Sequence, residues 1–197
     1  MPKVSPEHLE QRRLQIVEAA SRCFAANGFS GTSMQDIFKE AGLSAGAVYR
    51  YFPSKAELVS EIAKGKRGAV EAGMRAILER EELPPLPEAV REVLAVFLEN
   101  VDVDGKLRLL PEGWAAALHD EFVGEIVTRI FTGVRGIWTE FAVRYQREGR
   151  LAPGADPAAV GALLTCFIPG LVMQRLMLGD VDAEVIGRGL AGVADFA

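Results

Sequence analysis

Apolar side chains recur three and four residues apart along almost the whole chain, and alternation of polar and apolar residues persists nowhere. That period predicts an all-α protein. A first helix opens after Ser5 with Pro6 at its first position, turns Leu9, Ile16, Ala19, Ala20, Cys23 and Phe24 inward, and closes at Asn27-Gly28. Thr32 followed three residues later by Gln35 reads as a capping box for a second helix, with Ile37, Phe38 and Ala41 on its buried side and Gly42 as its stop. Ser44 caps a third helix, roughly Ala45 to Phe52, that Pro53 ends. Ser54 and Glu57 then open a long fourth helix reaching about Arg80. The segment 81–87, with three prolines, is the clearest linker. Beyond it, helices are expected near Glu88 to Val101, Leu110 to His119, Asp120 to Gly149, Pro157 to Leu178 and Ala183 to Phe196, about nine in all. No internal repeat or low-complexity tract interrupts them.

This pattern divides the chain into a three-helix head, residues 1–53, and a larger helical body, residues 54–197, with helix 54–80 joining the two. At 197 residues and 49% hydrophobic content the chain has ample material for a core, which excludes disorder. The longest apolar run, Val160 to Met173, contains Gly and Pro and stops at Gln174 and Arg175, so it reads as a buried helix too short for a bilayer. The first residues carry charge without an apolar stretch, so no secretory signal is expected, the protein is placed in the cytoplasm, and no membrane partner is assigned. Cys23 and Cys166 lie far apart on apolar helical faces and read as reduced core thiols. With only His8 and His119 besides, no metal site, general base or cofactor motif emerges.

The net charge of −5 would argue against an anionic partner, but its distribution changes the picture. Residues 1–67 hold 10 Lys and Arg against 7 Asp and Glu, while the remainder holds 12 against 20. A basic head on an acidic body points to an anion at the N-terminal end. The two short helices around Gly42 also form a helix-turn-helix pattern. Val48 and Phe52, four apart, point back toward Ile16, Phe24 and Ile37, which leaves Ala45, Gly46, Tyr49 and Arg50 outward. Two of these are small enough to press the helix start against base edges of a DNA duplex.

The residues Gly28-Phe29, Thr32-Ser33, Asp36-Ile37, Ala41-Gly42-Leu43-Ser44 and Gly46-Ala47-Val48-Tyr49-Arg50-Tyr51-Phe52-Pro53-Ser54-Lys55-Ala56-Glu57-Leu58 resemble the TetR family of bacterial transcriptional regulators. The resemblance runs from about residue 12 to residue 60. It implies a ligand-responsive repressor: a homodimer held by its last two helices, a double-stranded operator with two-fold symmetry, and release of DNA when a small apolar or aromatic effector binds the body. The family pattern puts Tyr49 against bases or a thymine methyl, Arg50 and Tyr51 on phosphate, Lys55 on phosphate at the start of the fourth helix, and Gln35 at a position that can touch bases. Ser44, Ala45 and Gly46 complete the expected DNA-binding set. Many relatives have histidine where Tyr51 stands and alanine where Phe38 stands, and no consequence is expected of the second departure.

Two other readings compete. Gly42-Leu43-Ser44-Ala45-Gly46 matches the G-x-S-x-G elbow of serine hydrolases, with Asp102 or Asp104 and His119 in the right chain order for a triad. That elbow needs a strand before its serine, and Met34 to Ala41 have helical spacing, so an enzyme is not expected. A helical ligand-binding or interaction module without specific DNA binding is the alternative.

In the body, Phe97, Trp114, Leu118, Phe122, Phe131, Trp138, Phe167 and Met173 are the candidate lining of an apolar ligand site. The helix from Pro157 is apolar nearly all round and needs a partner beyond its own core. Gly161, Leu164, Ile168 and Leu171, with Ile186, Leu190 and Val193 of the last helix, are the candidate dimer interface.

Overall fold

The computed structural model describes residues 5–102 and 106–194. Among them are ten α-helices, one turn of 3-10 helix and no strand: α1 Pro6–Gly31, α2 Met34–Ala41, α3 Ala45–Tyr49, α4 Lys55–Leu78, α5 Leu86–Val101, α6 Leu109–Ala117, α7 Glu121–Arg147, α8 Pro157–Thr165, α9 Phe167–Met177 and α10 Ala183–Ala194. The expected end of the last helix at Phe196, and Asp104, lie outside the described residues. α8 and α9 together make the single helix expected from Pro157. Cys166 between them keeps a helical backbone, φ −68° and ψ −17°, and counted through it the helices number nine. The interruption falls three residues before Pro169, which has no N–H for the Thr165 carbonyl and crowds it with its ring.

The chain forms two compact units. One takes the described residues up to Gly65 and those from 106 to Glu125; the other takes Lys66 to 102 and Ile126 to 194. The first unit therefore holds α6 as well as the three head helices. Its core is Ile16, Ala20, Cys23, Phe24, Ile37, Val48, Phe52 and Leu58, with Leu109 of α6 packed against it. This is the core that the apolar spacing predicts, extended by one element from much later in the chain.

Two details of the head differ from the sequence reading. α1 does break at Gly28, whose φ of 72° is left-handed, yet the chain makes a further turn to Gly31. Ser33, not Thr32, caps α2. Its hydroxyl accepts from Asp36 N at 3.2 Å, and the Asp36 carboxylate accepts from Ser33 N at 2.8 Å. Hydrogen bonds from Ser33 hold that carboxyl below its ordinary range. Thr32 is buried instead, and its hydroxyl donates to the Gly28 carbonyl at 2.7 Å, with the Cys23 carbonyl at 3.1 Å. Two adjacent hydroxyl residues are equivalent as caps in sequence; the carbonyls freed by the Gly28 kink decide between them.

In the second unit the fully buried large side chains include Trp138, Tyr145, Phe141, Met74, Leu94 and Leu171. The proline linker is held against α7 and the residues just after it. Arg144 donates to the carbonyls of Leu78, Arg80 and Glu81 at 2.6 to 2.7 Å, Tyr145 Oη to Pro84 at 2.7 Å, and Arg150 to Leu83 at 2.7 Å and Pro84 at 3.0 Å. Burial pushes the Tyr145 hydroxyl up to about 12, so it stays a donor throughout the physiological range. The span Pro157–Met177 is 21 residues, long and apolar enough by composition to cross a bilayer, contrary to the expectation that it is too short. One side of it is packed into the unit, however, and Arg175 near its end pairs with Asp102 at 3.0 Å. Cys166 is exposed rather than a core thiol, because it faces away from that packed side.

Thr32→Val should destabilise the protein by about 1–3 kcal/mol in chemical denaturation, since it keeps the shape and strands the Gly28 carbonyl. Ser33→Val, which leaves that buried bond intact, serves as the comparison.

Candidate nucleic-acid interface

Gly42 ends α2 in the left-handed region, φ 65° and ψ 30°, a conformation that other residues reach only with strain. Leu43 N donates back to Phe38 O at 3.1 Å, which closes the helix end and turns the chain into α3. Ser44 accepts from Ala47 N at 3.3 Å and caps α3. Regular helix stops at Tyr49, three residues before the expected end, although Phe52 N still donates to Val48 O at 3.0 Å, and Pro53 disfavours its continuation. Val48 and Phe52, 0% and 3% exposed, anchor the inner side of this segment. Ser44, Ala45, Gly46, Tyr49 and Arg50 are exposed, Tyr51 is half-buried against the head core, and a Cβ built at Gly46 would meet nothing within 4 Å.

Gln35 is exposed on α2 and stays out of the capping box, which Asp36 closes. Phe38 has a role that its sequence position does not announce. Its ring meets Tyr49 edge-on, with centroids 5.2 Å apart and planes at 72°, so α2 braces the exposed aromatic ring of α3.

Lys55, expected on phosphate, also has partners within the head. Its Nζ donates to Phe29 O at 2.6 Å and Thr32 O at 2.9 Å and lies 4.2 Å from the Phe29 ring centroid. Burial lowers the pKa of this ammonium. The same turn is held from its other side by Glu112 of α6, whose carboxylate accepts from Phe29 N at 2.6 Å. A Cβ at Gly28 would come within 2.8 Å of that carboxylate. Glu112 lies 83 residues from Phe29, and nothing local in the sequence marks it. Arg13 and Arg22 are likewise paired inside the head, with Glu61 and Glu40, both at 2.6 Å.

The other candidate residues are dispersed. Trp114, Leu118 and Phe122 belong to the first unit, where Leu118 and Phe122 are 80% and 43% exposed; Phe97, Phe131, Trp138, Phe167 and Met173 belong to the second. Within the second unit Phe97 and Trp138 are buried, whereas Met173 is exposed. Of the candidate interface residues, Gly161, Leu164, Ile168 and Leu171 lie in the chain's own interior. A Cβ at Gly161 would sit 2.3 Å from Thr139 Oγ1, so this glycine serves the approach of α8 to α7. A helix apolar on every side does not reveal which side its own domain takes. Ile186 and Leu190 are half-buried, and Val193 is exposed.

Two helices crossing at a left-handed glycine, the second presenting a small-residue start, define a helix-turn-helix DNA-binding head. The rival elbow is excluded by the same geometry, since a helix rather than a strand precedes Ser44. Residues 16–62 match bacterial regulatory proteins of the tetR family, and residues 81–191 match the C-terminal domain of BetI-type transcriptional repressors. The chain belongs to the TetR family and is a helix-turn-helix transcriptional regulator. It is similar to the regulator TtgR of Pseudomonas putida, 29% identical over 196 residues that span 95% of this chain and 90% of TtgR. Among solved structures it shares its fold with Salmonella enterica GusR, TM-score 0.76 at 23% identity over 98% of this chain and 100% of that one. FadR of Bacillus subtilis in complex with stearoyl-CoA is also similar, TM-score 0.72 at 19% identity over 92% and 96% of the two chains.

If Tyr49 contacts a base, Phe38→Ala, which removes the brace, should flatten preference at one base position, while affinity for random duplex stays within about twofold. Competition binding against a single-position operator library checks this, and Phe38→Leu should recover part of the preference. Arg50→Ala should lower the salt slope of binding by about one unit. Lys55→Ala should act differently, lowering stability without DNA by about 1.5–3 kcal/mol through the two lost carbonyl contacts.

Proposed function

We propose that this regulator is a ligand-responsive repressor that binds a two-fold symmetric DNA operator as a homodimer in the cytoplasm, where the chromosome is, and leaves it when a small apolar or aromatic effector binds the body. The exposed, small-residue start of α3 carries the reading. Ser44, Ala45 and Gly46 allow backbone approach to base edges, Tyr49 and Gln35 supply base contacts, and Arg50 and Tyr51 supply phosphate contacts. With two of its three donors engaged inside the head, Lys55 has a single N–H left for phosphate.

The dimer reading rests on an apolar surface of the second unit. Leu163, Met173 and Met177 are 64%, 41% and 70% exposed and fall with Cys166 and Gly170 on one side of α8 and α9; Val193 of α10 is 70% exposed. These residues replace the interior set expected from sequence. A two-fold axis lets such a surface cover itself, which closes the assembly.

For the effector, Phe97, Phe131, Trp138 and Phe167 of the second unit remain the candidate lining. The FadR complex supports this reading, because stearoyl-CoA carries a long apolar chain. α4 contributes to both units and is anchored in each, by Lys55 at its start and by Arg144 on the Leu78 carbonyl at its end. An effector that displaces it changes how two heads match successive major-groove faces. Coupling of this kind amounts to about 1–3 kcal/mol, and linkage requires operator DNA to weaken effector binding by the same factor.

Selection from random duplexes should return a palindrome with half-sites about 34–36 Å apart or somewhat more. Leu163→Arg combined with Val193→Arg should give a monomer in sedimentation equilibrium that keeps its helicity and loses the palindrome. Absence of sequence preference would sink the repressor reading, and a double variant that still dimerises would sink the assigned surface.

A further inference from the structure

Among the described residues one buried side-chain nitrogen or oxygen lacks a hydrogen-bond partner, the indole Nε1 of Trp138. Trp138 is wholly enclosed, 0% exposed, on α7, its ring tilted against Phe141 at 5.1 Å. The other buried polar side chains of the second unit are engaged: Thr165 donates to Gly161 O at 2.8 Å, and Tyr145 to Pro84 O at 2.7 Å. Interior helix carbonyls are taken by helical hydrogen bonds. A buried N–H without an acceptor is disfavoured by a factor of about ten or more, and such groups in folded proteins call for a specific explanation.

Within an apolar interior a bound molecule can supply the acceptor. We propose that Trp138 Nε1–H is the hydrogen-bond donor that selects the effector, and that the effector is a mainly hydrocarbon molecule with one neutral acceptor oxygen, such as a ketone, ester or ether. This inference rests on the ligand-responsive reading above. A purely hydrocarbon ligand would leave the indole as it is. A carboxylate would need a buried cation beside it, and no lysine or arginine among the described residues of this unit is buried. Trp138 thus converts a site that accepts any apolar shape into one that tells an oxygen-bearing ligand from its hydrocarbon equivalent. Discrimination arises because the site's own polar group stays unpaired with the wrong ligand.

The test uses the full chain and two pairs of isosteres: methyl naphthyl ketone against isopropenylnaphthalene, and methyl nonyl ketone against the alkene with methylene in place of the carbonyl oxygen. Each ketone should bind about tenfold tighter than its alkene. Trp138→Phe keeps an aromatic ring and deletes the N–H, and it should bring each pair to equal affinity. In the unaltered protein, labelled with nitrogen-15 at its two tryptophans, the Trp138 indole N–H resonance should move downfield with the ketones and not with the alkenes. That measurement decides the matter even if Trp138→Phe does not fold. Equal affinity within both pairs, or an unmoved indole resonance with ketone bound, overturns the role of Trp138 and leaves ligand sensing intact. Failure of all four compounds to bind removes both.

Discussion

A protein built only of helices ends each helix with carbonyls that no later residue of that helix can answer, and such ends carry partial negative charge. Here long cationic side chains from distant segments answer several of them. Lys55 takes the carbonyls at the end of α1, Lys66 the Asn100 carbonyl at the end of α5, and Arg144 those of Leu78, Arg80 and Glu81 after α4. Arg150 does the same for the proline linker. Each contact crosses a long sequence separation, so each also fixes where one helix begins or ends relative to another within its unit. The head depends on this directly, because the turn between α1 and α2 has few backbone bonds of its own and is held by Lys55, Thr32 and Glu112.

This use of cations alters the meaning of the charge pattern. The excess of Lys and Arg in residues 1–67 looks like an electrostatic footprint for nucleic acid, yet Arg13, Arg22, Lys55 and Lys66 all have intramolecular partners. Arg50 is exposed immediately after α3. On the proposed reading the head would combine modest phosphate attraction with a rigid surface, in which Phe38 braces Tyr49 and the buried Val48 and Phe52 anchor α3. Rigidity favours discrimination between sequences, since a side chain held in one orientation cannot adjust to a wrong base.

α6 shows how far such a unit can reach along the chain. Sequence order assigns Leu109 to Ala117 to the body, but Leu109 packs on the head core and Glu112 closes the Phe29 turn. The family matches, to a regulatory head over 16–62 and a repressor body over 81–191, follow sequence order; the compact units do not.

The sequence by itself determined the helical class, the position of nearly every helix, the helix-turn-helix and the inward set Ile16, Phe24, Ile37, Val48 and Phe52, because these follow from spacing within a few turns of chain. It also contained the family's motif as a contiguous string. Tertiary structure alone decided between Thr32 and Ser33 as cap, engaged Lys55 with the Phe29 and Thr32 carbonyls, joined Glu112 to the head, braced Tyr49 with Phe38, and turned Leu164, Ile168 and Leu171 inward while leaving Leu163, Met173 and Met177 outside. The physical reason is common to all of them. A hydroxyl, an ammonium or an apolar helix face has several acceptable partners by local chemistry, and the choice is made by whichever unsatisfied carbonyl or uncovered surface the fold brings near it.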